Sequence, residues 1–238
     1  MTSKPRFGGK ELAILVVLAA LVPVTYLLAD SGAEEDELQE SARSTEAAEA
    51  RAAADRSLKR TESAFARGAT RLKLYSTTTS DMCMKGNEGD VKTEKSEHRM
   101  ECHRTKHFYY GANGVISDVL KSIDDGAAAV GDRNTGDEKS PGSLVYALMY
   151  YQESGKNKDG SNLVYPELTV AGERVEWDDR VKKTLVERTP VPECHDNDWY
   201  CERTNGVAQA PLEEIRAAHD FVIKWSASTT YFTLDWDH

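Results

Sequence analysis

The greatest capacity for chemistry lies in one short stretch that holds His98, Cys102, His103 and His107. Imidazole nitrogens and a thiolate are the ligands zinc and copper prefer, so this is where a metal reading arises. The spacing argues against it. On a strand, His103 and His107 share a face while Cys102 points away; on a helix, the i,i+4 spacing would align His103 with His107. Neither geometry gathers four ligands, and the chain has no CxxC or HExxH. No metal ligand and no cofactor is assigned.

The four cysteines, Cys83, Cys102, Cys194 and Cys201, have a second use. In an exported domain an even count reads first as disulfides, and four residues allow three pairings. Local closure, Cys83–Cys102 and Cys194–Cys201, is the preferred reading because each pair brackets a polar loop between expected elements. The second loop, CHDNDWYC, displays His195, Asp196, Asp198 and Trp199 and is the candidate recognition loop.

Catalytic signatures are missing from the sequence. There is no G-x-S-x-G, P-loop or Rossmann fingerprint. The carboxylate pairs Asp124–Asp125 and Asp178–Asp179 read as turn residues rather than as a general acid and base. No catalytic residue is assigned, and a non-enzymatic role is expected. An exported hydrolase or metal-binding protein stays as an alternative, with the His/Cys stretch as its hint.

What positions these residues begins with an apolar run from Leu12 to Ala29, LAILVVLAALVPVTYLLA. As a helix it would span roughly 27 Å, close to the hydrocarbon thickness of a bilayer. Lys4, Arg6 and Lys10 precede it, and Asp30, Glu34, Glu35, Asp36 and Glu37 follow it. That asymmetry keeps 1–11 as a cytoplasmic tail, makes 12–29 a transmembrane anchor and exports the rest. The competing reading is a signal peptide cut near Ser31 and Ala33, which would make the protein secreted; the run is longer than a usual signal core.

Residues 30–67 read as a polar helical stalk. From Ala33 to Arg67 the chain has neither Pro nor Gly and is rich in Ala, Glu and Arg, all good helix formers. Asp55 and Lys59 are spaced for an ion pair, and Leu58, Phe65 and Leu72 recur every seven residues. The segment is acidic from Glu34 to Glu49 and basic from Arg51 to Arg60. Self-association or contact with a protein partner through this stalk is expected.

Residues 68–238 then read as one α+β domain with a mostly antiparallel sheet and short helices. Arg71–Thr79 and Met100–Tyr110 are expected strands, and Val115–Ile123 is spaced for an amphipathic helix, with a hairpin strand as the alternative. Residues 124–143, with Gly126, Gly131, Gly136, Pro141 and Gly142, suit a loop. Leu144–Tyr151, apolar on both faces, suits a buried strand paired with Leu163–Val170. Glu173–Arg188 fits a hairpin or a helix, the latter through Glu176/Arg180, Asp178/Lys182 and Asp179/Lys183. Pro211 opens a short helix, and Ser228, Thr230, Phe232, Leu234 and Trp236 line one face of a last strand.

The chain has 238 residues and a formal charge of −10. An acidic balance argues against nucleic acid, whose phosphates need clustered Lys and Arg, so no nucleic-acid partner is expected. No Asn stands in an Asn-x-Ser/Thr context, so nothing marks a eukaryotic secretory route; a bacterial envelope is the working expectation.

An anchor running into a long helix, then sheet, then a C-terminal disulfide loop is similar in order to type IV pilin-like proteins. Phe7 and Glu11 sit as the first and fifth residues of a mature pilin would. The pattern departs at Arg6, where that family has Gly, and at Gly8, Gly9 and Lys10, which interrupt its apolar start. The resemblance implies a filament subunit as a second alternative. The leading expectation is a single-pass, membrane-anchored extracytoplasmic protein of the plasma or inner membrane, acting in binding or assembly at the cell envelope.

Overall fold

The computed structural model describes residues 36–89, 93–132, 142–181, 183–189 and 210–236. The elements run α1 (Thr45–Gly68), β1 (Lys73–Lys85), β2 (Met100–Ala112), α2 (Ile116–Ala129), α3 (Ser143–Gln152), β3 (Leu168–Val170), β4 (Glu173–Trp177), α4 (Leu212–Ala218) and β5 (Phe221–Leu234). The strands form one antiparallel sheet in the order β1-β2-β5-β4-β3. This is the expected α+β class.

Alternation along β2 and β5 divides the sheet into two faces. Phe108, Tyr110 and Ala112 lie opposite Trp225, Ile223 and Phe221 and point into the main core. There they meet Leu58 and Phe65 of α1, Val119, Leu120 and Ile123 of α2, and Leu144 and Ala147 of α3. At the centre Trp225 stacks on Phe108 with ring centroids 4.9 Å apart, and Phe65 lies 4.7 Å from the Trp225 ring. On the opposite face α4 covers one end, packing Leu212 and Ile215 on Tyr109 and Val222.

The stalk expected over 30–67 is helical where it is described, over 36–42 and Thr45–Gly68, but it does not stand free of the domain. Ser44 caps α1 by accepting from the Ala47 N–H at 3.1 Å. Ala47, Ala54, Leu58 and Phe65 then make a narrow stripe buried against the sheet. The seven-residue recurrence of Leu58, Phe65 and Leu72 serves this core rather than a second helix. Leu38 and Ala42 are likewise buried, in a satellite cluster with Cys83, Met100 and Cys102. Gly68 and Gly126 let α1 and α2 approach closely: a Cβ on Gly68 would collide with the Asp125 carbonyl, and one on Gly126 with the Phe65 ring.

Four further expectations are corrected. Leu144–Tyr151 is not a strand but lies in α3, with Leu144, Ala147 and Tyr150 turned inward and Val145 and Met149 exposed. An apolar run of eight cannot by itself separate a buried strand from a helix. Of Leu163–Val170 only Leu168–Val170 is strand, and it pairs with β4 through a two-residue turn whose Ala171 and Gly172 both have positive φ, 52° and 78°. In place of helical pairing in 173–188, Glu176 pairs with Lys224 and Asp178 with Arg216. The expected loop at 124–143 begins later, because α2 continues to Ala129.

The last strand breaks the expected alternation. His103 lies opposite Thr230, but Cys102 lies opposite Phe232, so Tyr231 is the extra residue of a bulge. Parity flips there. Ser228 and Thr230 face away from α1, whereas Phe232 and Leu234 pack with Leu38 and the cysteines.

Among the described residues no helix is long and apolar enough to cross a membrane. The run Leu12 to Ala29 lies outside the described residues.

Candidate functional site

Cys83 and Cys102 stand directly opposite each other on β1 and β2 and form a disulfide. The expected Cys194–Cys201 bridge, and with it His195, Asp196, Asp198 and Trp199, lies outside the described residues.

The disulfide removes Cys102 from any metal, and the three histidines do not converge. His98 Nδ1 is 2.7 Å from Asp235 Oδ1, and this hydrogen bond holds the imidazole above its usual pKa. His103 lies between Thr230, at 3.1 Å, and Glu101, at 3.3 Å. His107 Nδ1 meets Ser226 Oγ at 2.7 Å, and burial together with the nearby Lys224 ammonium pushes its pKa down to about 4. Among the described residues no group of three His, Cys, Asp or Glu side chains is placed to hold a metal.

Between the histidines, Thr105 and Ser228 share a hydrogen bond of 2.8 Å. His103, Thr105 and His107 thus form a polar row along β2, each paired across to a hydroxyl of β5. α4 reaches only the Tyr109 and Val222 end of this face.

The α1 side is held by charge as well as by apolar contact. Arg104 of β2 donates to both carboxylate oxygens of Asp55 on α1, at 3.3 and 3.1 Å, and to Asp81 of β1 at 3.1 Å. Lys106 adds a 2.8 Å contact to Asp55, Arg51 of α1 pairs with Asp81, and the Tyr231 hydroxyl donates to Asp81 at 2.8 Å. Burial opposes ionisation of Asp55, yet Lys106 and Arg104 hold its carboxyl below the usual range. Asp55 therefore pairs with the sheet and not with Lys59, as its i,i+4 spacing suggested. The bulge that turns Tyr231 toward Asp81 leaves no local sequence signal.

A cleft of about 440 Å³ opens beside β4, lined by Tyr165, Arg174, Glu176, Trp177, Leu185 and Val186. Behind it, Trp177 Nε1 donates to the Tyr151 hydroxyl at 2.6 Å, and the Tyr165 and Trp177 rings lie 5.7 Å apart. Burial raises the Tyr151 and Tyr165 phenols well above their usual range, so both stay neutral. Asp178 fixes the outer wall, accepting from Val186 N–H at 2.7 Å and from Arg216 at 3.1 and 3.2 Å. Aromatic edges and aliphatic side chains make up much of the lining, while its two charged residues are paired elsewhere, Arg174 with Glu167 and Glu176 with Lys224. Sequence reasoning missed this cleft because its lining comes from β4 and two separate connections.

No protein-family model, no curated protein and no solved structure matches this chain.

Proposed function

We propose that this chain is a single-pass, membrane-tethered protein whose exported α+β domain binds a protein partner and serves assembly at the cell envelope without catalysing a reaction. The observation that carries the reading is the Cys83–Cys102 disulfide, because a bridge of this kind persists in oxidising compartments and is rare in the cytosol. The sequence supplies the route outward, through the apolar run and the cations that precede it.

The connection constrains how the domain sits. Leu38 is already docked beside the disulfide, so only six residues separate Ala29 from Asp36. They span at most about 25 Å, which keeps Asp36 within that reach of the bilayer. Both the cleft beside β4 and the outer face of α1 are surfaces on which a partner can dock.

Thiol labelling tests this reading. Full-length chain from carbonate-washed membranes is expected to show Cys83 and Cys102 unlabelled until a reductant is added. Free, reactive Cys83 and Cys102, or a chain released by the carbonate wash, would refute it.

A further inference from the structure

The side of α1 turned away from the sheet has an ordered charge pattern. Glu46, Glu49, Ala53, Arg56 and Arg60 follow one another at alternating steps of three and four, and Arg67 continues the line. This places them on one helical face, opposite the buried Ala47, Ala54, Leu58 and Phe65. All six are exposed. Arg56, Arg60 and Arg67, with Lys59, line a groove of about 570 Å³ on this surface. Among the described residues, none of Glu46, Glu49, Arg56, Arg60 and Arg67 is engaged by an ion pair, whereas Arg51 and Asp55 of the same helix are taken up by the sheet.

We infer that this face of α1 binds the same face of a second copy of the chain, antiparallel, across a two-fold axis passing near Ala53. The acidic half of each helix, Glu46 and Glu49, then lies on the basic half of the other, Arg56 and Arg60. A parallel arrangement would set acid on acid and base on base, so the charge pattern selects both the partner and its direction. The small Ala53 at the crossing lets the two backbones approach. An interface of this symmetry presents the same patch from each copy and closes on itself as a dimer. The inference deepens the proposed function by naming the partner, and rests on it for encounter: two copies tethered in one membrane meet at a high effective concentration.

The experiment uses full-length chain in its native membrane with Ala53→Cys, and Ala66→Cys as the off-face control. Ala53→Cys is expected to give a dimer band on a non-reducing gel, and Ala66→Cys none. Adding E46R/E49R, or R56E/R60E, to Ala53→Cys is expected to abolish the band. Co-expression of the two reversed chains, or all four changes in one chain, is expected to restore it. No band from Ala53→Cys, a band that survives either reversal, or no restoration would overturn the pairing. Recruitment of the purified chain to phosphatidylglycerol vesicles through Arg56 and Arg60, without crosslinking, would also overturn it in favour of an anionic lipid surface. Fractionating the same samples separates the two claims. A soluble but crosslinked chain refutes the tether alone, and a membrane-bound chain without the band refutes the pairing alone.

Discussion

Arg104 of β2 and Asp55 of α1 are joined by two hydrogen bonds, 3.3 and 3.1 Å long, at the seam where the helix meets the sheet. A third bond from Arg104 reaches Asp81, which is only 5% exposed and also takes Arg51 and Tyr231. One guanidinium therefore ties α1, β1 and β2 together. The cost of such a group lies in breaking it, since a buried charge left without its partner cannot regain water.

Asp81→Ala removes the carboxylate that Arg104 and Arg51 share. It is expected to cost about 3–5 kcal/mol in urea unfolding. Lys121→Ala, on the exposed side of α2, is expected to stay within about 0.5 kcal/mol. Equal effects from the two would refute the seam.

Phe65→Ala tests whether α1 belongs to the domain. Phe65 is fully buried against Trp225 and Tyr110, and truncation is expected to cost about 3–5 kcal/mol. A solvated stalk would lose almost nothing.

The Cys83–Cys102 bridge closes a loop with a sequence separation of 19. Loop-closure entropy for that length is about 3 kcal/mol, so the Cys83→Ala/Cys102→Ala double variant is expected to unfold at correspondingly lower urea. An unchanged midpoint would mean that the bridge does not constrain the unfolded chain.

His107 makes stability depend on pH. In the unfolded chain its pKa is near 6.5, while burial and Lys224 lower it to about 4 in the fold. The unfolded state thus binds the proton first. The contribution is complete above pH 6.5 and is lost as pH falls from there through about 4. His107→Gln is expected to flatten the stability profile in that window, as read by thermal melts at stepped pH. An unchanged slope would contradict the assignment.

Long elements with a steady pattern were legible in the sequence. β2, α2 and α4 fall where alternation, helical spacing and Pro211 put them, β1 runs on past the expected Thr79 to Lys85, and Cys83–Cys102 is the local pairing expected. What escaped depends on contacts between distant residues. The stripe Ala47, Ala54, Leu58 and Phe65 is too small and too diluted by charge to announce a core face. Leu144–Tyr151 is apolar on all sides, so its period is silent. The bulge at Tyr231 moves Phe232 and Leu234 to the inner face, and only the pairing with Cys102 and His103 shows it. Neither the Arg104 seam nor the cleft beside β4 has a motif, because each is assembled from separate elements.

The central claim is that the disulfide-bonded domain stands outside a membrane to which its own N-terminus ties it. Protease protection on spheroplasts expressing the full chain with a C-terminal tag tests this most directly. The account predicts that external protease removes the tag and the domain from intact spheroplasts while a short N-terminal fragment stays in the carbonate-washed membrane. A tag protected until the cells are lysed, or a chain found only in the soluble fraction, would contradict it.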